Sequence, residues 1–182
     1  MIQAAENYVL TAIEKKHQDI VNGLFIDTTW EPEEHVTLEG IVISPPARVK
    51  SDYHRTITGN VKEGDKIFFS YSIVFDKALQ PKEDTPVYKN MVLYEGEEYW
   101  KVEMGEIFCV ISGGAYKMVT SNVLIEPIDE ESGTVIGMPN IKLSCNMRDV
   151  VCFEPKFVQK YKILGKEHYI LPSRRIIAKQ WT

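Results

Sequence analysis

Gly64-Asp65-Lys66-Ile67-Phe68-Phe69 reads as a turn that launches a strand. Glycine takes φ > 0 without steric cost and aspartate caps backbone donors. Beyond them the side chains alternate, Ile67 and Phe69 to one side, Lys66 and Phe68 to the other. The same arrangement returns as Arg148-Asp149-Val150-Val151-Cys152-Phe153. A turn-and-strand unit met twice calls for a search for further repeats.

Three more signatures recur in the same order. Tyr8-Val9-Leu10 answers to Val123-Leu124-Ile125, and Gly40-Ile41-Val42-Ile43 to Gly133-Thr134-Val135-Ile136. Gly96-Glu97-Glu98-Tyr99-Trp100-Lys101-Val102 answers to Gly165-Lys166-Glu167-His168-Tyr169-Ile170-Leu171, each followed by an apolar closing strand. Matched positions lie 115, 93, 84 and 69 residues apart, so the second copy is shorter by about 22, 9 and 15 residues in its three connections. Strands are kept and loops are trimmed.

The surrounding sequence agrees with an all-β chain. Short β-branched and aromatic runs bounded by turn residues recur. They are Tyr8 to Ile13, Gly40 to Ile43, Lys66 to Val74, Tyr99 to Val102, Ile107 to Ile111, Val123 to Ile125, Val150 to Phe153 and Tyr169 to Leu171. Ile13 to Val21 is a poor helix candidate, with weak apolar spacing and a break at Asn22-Gly23. Prolines punctuate the runs, as expected of a residue that cannot donate to a ladder.

Composition excludes several functions. Apolar content of 44% and charged content of 26% are ordinary globular values. A net charge of -5 without a basic run offers no footprint for nucleic acid or an anionic membrane. No stretch approaches the roughly 20 apolar residues of a spanning helix, and no signal-peptide pattern opens the chain, so a cytoplasmic location is expected. Cys109, Cys145 and Cys152 lack Cys-x-x-Cys spacing and read as reduced core thiols. His17, His35, His54 and His168 have no partner at ligand spacing, so no metal is expected. No dinucleotide fingerprint or nucleophile elbow is present, and Glu97 and Glu98, adjacent on a strand, point to opposite faces. The expectation is a non-enzyme with no catalytic residues and no cofactor.

The order strand, long loop, Gly-x-Val strand, loop, Val61-Lys62-Glu63-Gly64-Asp65-Lys66-Ile67-Phe68-Phe69, Gly96-Glu97-Glu98-Tyr99 hairpin and closing Gly105-Glu106-Ile107-Phe108-Cys109-Val110-Ile111 resembles the GroES-type co-chaperonins. The resemblance implies two tandem copies of a partly open GroES-like β-barrel. The first, residues 1–115, would carry a mobile loop at about 14–38 and a roof-like loop at about 44–60. The second, residues 120–182, would be a shortened copy without the mobile loop.

In that family an apolar tripeptide after a glycine docks on a chaperonin's apical domain. The matching residues are Gly23, Leu24, Phe25 and Ile26, set between the polar stretch Glu14 to Asp19 and the acidic Glu31-Pro32-Glu33-Glu34. Asn22-Gly23 replaces the family's paired glycines, and Phe25 is bulkier than the usual central residue. Burying three such side chains contributes on the order of 5 to 8 kcal/mol gross. Ordering the loop costs about 1 to 2 kcal/mol per residue, so one loop binds weakly and several must act together. The resemblance therefore implies a homo-oligomeric ring that caps a GroEL-type chaperonin, the ATPase partner, over an unfolded client. Arg48, Lys50, His54 and Arg55 read as a solvated cationic tip of the roof-like loop. The alternative is an assembly protein, of a phage or mobile element for example, that keeps the barrel and meets no chaperonin.

Overall fold

The computed structural model describes residues 2–13, 38–50, 57–75 and 89–180, with the backbone alone of 20–21 and 24–25. The chain is all-β. Among the described residues thirteen strands form one sheet, two form a separate hairpin, and α-helix is confined to α1 (Ser72–Phe75).

The first half contains β1 (Tyr8–Ala12), β2 (Ile20–Val21), β3 (Leu24–Phe25), β4 (Glu39–Ser44), β5 (Lys66–Phe69), β6 (Met91–Tyr94), β7 (Glu97–Glu103), the 3-10 turn η1 (Met104–Glu106) and β8 (Ile107–Ser112). β1 lies between β4 and β7, β5 between β4 and β8, and β6 on the far side of β7, all antiparallel. After β9 (Ala115–Met118) the second half runs β10 (Asn122–Pro127), β11 (Ser132–Met138), β12 (Val150–Phe153), η2 (Pro155–Phe157), β13 (Gln159–Ile163), β14 (Lys166–Pro172), η3 (Ser173–Arg175) and β15 (Ile176–Lys179). β10 lies between β11 and β14, β12 between β11 and β15, and β13 on β14. The same five pairings occur in both halves. β9 pairs antiparallel with β8 and parallel with β11, so the sheet runs on from one half to the other.

Local chemistry explains why the two halves pair alike. Gly64 and Arg148 both stand at positive φ, 80° and 71°. Each is followed by an aspartate whose carboxylate accepts the backbone N–H three residues earlier, Lys62 at 2.7 Å and Asn146 at 2.8 Å. The aspartate carbonyls then accept from Val42 and Val135 at 2.9 and 3.0 Å, fixing the entry of β5 and β12. Arginine occupies its left-handed position at a cost that glycine avoids. The β6–β7 and β13–β14 turns match as well, with Glu95 and Leu164 at φ 53° and 51° and Gly96 and Gly165 at 84° and 78°.

Register corrects one sequence match. Val9 pairs with Val102 and Val123 with Leu171, so Val9 answers to Val123 and Leu10 to Leu124, 114 residues apart rather than 115. The other three spacings agree with the observed pairings. The expected strand Lys66 to Val74 ends at Phe69, where Ile73 and Val74 donate to the Ser70 and Tyr71 carbonyls and the chain turns into α1. The reading of all three cysteines as core is corrected at Cys152. It is exposed, because the strand buries Val151 and Phe153 on the opposite face, whereas Cys109 and Cys145 are buried.

Two apolar cores result. Ile67, Phe69, Trp100, Val102 and Ile107 are fully buried in the larger, while Val123, Ile125, Val135, Val151 and Phe153 fill the smaller. The larger core also takes in Leu124, Tyr161, Ile163 and Ile170 from the second half. These project from the outer face of β10, β14 and β13, so the first half's core continues into the second half.

Candidate functional site

The segment carrying Gly23, Leu24, Phe25 and Ile26 leaves the sheet between two neighbouring strands. β1 ends at Ala12, paired with Ile41, and the chain rejoins the described structure at buried Leu38, whose carbonyl accepts from the Phe69 N–H. The junction is tight. Thr11 Oγ1 donates to the Ile41 carbonyl at 2.8 Å, and a Cβ on Gly40 would stand 2.4 Å from Thr11 Oγ1. Glycine at 40 therefore lets β1 and β4 close beneath the loop.

Leu24 and Phe25 form β3, paired antiparallel with β2: Val21 stands opposite Leu24 and Ile20 opposite Phe25. This hairpin belongs to a sheet of its own and shares no strand with the large one. Gly23 and Ile26 lie outside the described residues, as do most positions of the expected mobile loop. Ile20-Val21, at the end of the poor helix candidate Ile13 to Val21, is a β-branched pair that forms a strand instead.

The corresponding connection of the second half is a short turn. The Ile128 and Asp129 N–H groups donate to the Ser132 carbonyl at 3.0 and 3.2 Å, and Asp129 Oδ1 accepts from the Glu131 N–H at 2.9 Å. The Glu131 hydrogen bond holds the Asp129 carboxyl below its usual range. Gly133 plays the part of Gly40, with Ile125 Cγ2 2.4 Å from where its Cβ would be. Both connections share one neck, and only the first carries a long insertion.

After β4, Arg48 is held to the N-terminal segment through its backbone and Lys50 through its side chain. The Arg48 carbonyl accepts from the Asn7 N–H at 2.8 Å, and Lys50 Nζ meets Glu6 Oε2 at 2.5 Å in an exposed pair. His54 and Arg55 lie outside the described residues. A cavity of about 730 Å³ opens between the halves, lined by Ser70, Tyr71, Glu106, Thr120, Gln159 and Arg174 among others. Ser70 and Ser72 hydroxyls bond each other at 3.0 Å there.

Among the described residues no three histidine, cysteine or acidic side chains converge as metal ligands. His168 is buried, with Nδ1 2.8 Å from the Lys166 carbonyl, and burial holds its pKa below the usual imidazole value. Burial, helped by Glu39, pushes the Cys109 thiol up to about 12. No described helix is long and apolar enough to cross a membrane. Compared with known proteins, the chain matches no family model and no curated protein.

Proposed function

We propose that the chain is a tandem co-chaperonin of GroES type, in which the first half docks on a GroEL-type chaperonin through Leu24, Phe25 and Ile26 and the second half is a structural copy of the same barrel. The observation that carries this reading is the asymmetry at one neck. Two halves with the same five strand pairings differ most where the first inserts residues 14–37 and the second makes a short turn.

A β2–β3 hairpin on that insertion suits a docking element. Residues already paired across a hairpin lose less conformational freedom on binding than an unpaired chain does, so more of the burial energy of Leu24 and Phe25 reaches the complex. The chain hydrolyses nothing itself; the chaperonin supplies the ATPase, and an oligomer supplies the multivalency that a single weak loop needs. ATP turnover by a GroEL-type chaperonin, measured with and without the chain, tests the reading. A docked cap alters turnover in proportion to occupancy, and an assembly protein leaves it unchanged.

A further inference from the structure

The contact between the two halves buries one face of each, and the chain carries a second, unused copy of both faces. In the used contact, Phe68 and Phe108 on the outer face of β5 and β8 enclose Tyr161 of β13. Phe68 meets it edge-on at 5.5 Å between ring centroids, and Phe108 lies at 5.1 Å. Glu39 completes the joint by accepting the Leu164 N–H at 3.2 Å while paired to Lys66.

The shared register identifies the unused faces. Phe68 corresponds to Cys152, because each stands one residue before the irregularity in its strand pairing with β8 or β15. Phe108 and Cys109 correspond to Ile177 and Ala178 by the same pairings, and Lys66 to Val150. All four replacements are uncharged. Ile177 is 64% exposed, Cys152 and Ala178 are exposed, and among the described residues β15 is paired on one edge only, whereas β8 is paired on both. On the other side, Tyr161, Ile163 and His168 correspond to Val92, Tyr94 and Tyr99 through the matching hairpin registers. The first set is buried, while Val92, Tyr94 and Tyr99, together with Tyr8 beneath Lys101, stand half-exposed on the outer face of β6, β7 and β1.

We propose that these two faces bind each other between chains: Val150, Cys152, Ile177 and Ala178 of one copy pack on Tyr8, Val92, Tyr94 and Tyr99 of the next, repeating the joint already built inside each chain. A contact between two different patches is heterologous, so the chains associate head to tail. The proposal rests on the repeat that underlies the co-chaperonin reading, not on chaperonin docking.

The test is sedimentation velocity of the full chain without any chaperonin, for wild type, Ile177→Asp and Val92→Asp, with thermal melts to show that each variant folds. Wild type sediments as an oligomer, and each variant as a monomer with association weakened about 30-fold or more, as for a hot-spot residue. An equimolar mixture of the two variants forms a dimer and nothing larger, because each retains one intact face. A second measurement uses the exposed thiol: Val92→Cys treated with a short bis-maleimide gives a ladder of cross-linked chains through native Cys152. Monomeric wild type, an oligomer indifferent to both substitutions, or a mixture that stays monomeric would overturn the proposal. Loss of chaperonin binding alone would leave it standing.

Discussion

Tyr161 and Phe68 meet in a T-shaped pair with 83° between their ring planes, a contact that makes a residue of the second half part of the first half's core. Such a side chain belongs energetically to both units. Truncating it removes aromatic packing on Phe68 and Phe108 and leaves a cavity between the halves.

Tyr161→Ala therefore costs about 3 to 5 kcal/mol, the range of large aromatic truncations in a core. Urea unfolding of a chain carrying Trp30→Phe and Trp181→Phe, followed by the fluorescence of the remaining, buried Trp100, measures it. Because Trp100 reports on the first half, a shifted midpoint there after a substitution at residue 161 registers the coupling directly.

The two necks predict a matched pair of effects. Gly40→Ala and Gly133→Ala each cost about 1 to 3 kcal/mol by overpacking against Thr11 and Ile125. In the Gly40 case Thr11→Ala relieves part of the clash, so a double-mutant cycle gives a coupling opposite in sign to the single effects. Additive losses would mean that the neck relaxes in some other way.

Thiol reactivity separates the cysteines by burial. A thiol pushed up to about 12 has almost no thiolate at neutral pH, so Cys109 stays unlabelled by iodoacetamide in the folded chain. Burial likewise raises the Cys145 thiol, while exposed Cys152 is the site that alkylates. Peptide mass spectrometry before and after unfolding reads all three, and labelling of Cys109 in the native chain would contradict the burial.

His168 predicts a pH dependence of defined sign. Its folded pKa lies below the ordinary imidazole value of about 6.5, chiefly through burial, so the unfolded chain takes up the proton first. The stability that this group contributes is complete above about pH 6.5 and declines as pH falls below it. His168→Gln flattens that part of the stability profile, as denaturant midpoints at pH 7.5, 6.5 and 5.5 would show.

Most of the strands of the large sheet are legible in the sequence, because turn residues before short apolar runs leave a local mark. The one-residue slip at β1 has a physical cause. Val9, Leu10 and Thr11 are all buried, as are Val123, Leu124 and Ile125, so neither strand alternates and neither marks its own register. Only the pairing with β7 and β14 sets it. β9 escaped notice because Ala115-Tyr116-Lys117-Met118 has no apolar run of its own and is made a strand by its neighbours β8 and β11. In the candidate site, Leu24-Phe25 reads as an apolar island, but its pairing with Ile20-Val21 depends on the partner strand as much as on its own residues.

The most direct test of the central claim is co-sedimentation of the chain with a GroEL-type chaperonin and nucleotide, comparing wild type with Phe25→Asp. Residue 25 belongs to the separate β2–β3 hairpin, and a charge there opposes burial in the proposed apolar docking contact, so nucleotide-dependent association in wild type and its loss in the variant are the expected result. Association indifferent to residue 25, or none at all with the chaperonin of the same source, would contradict the account and leave an all-β chain whose work lies elsewhere.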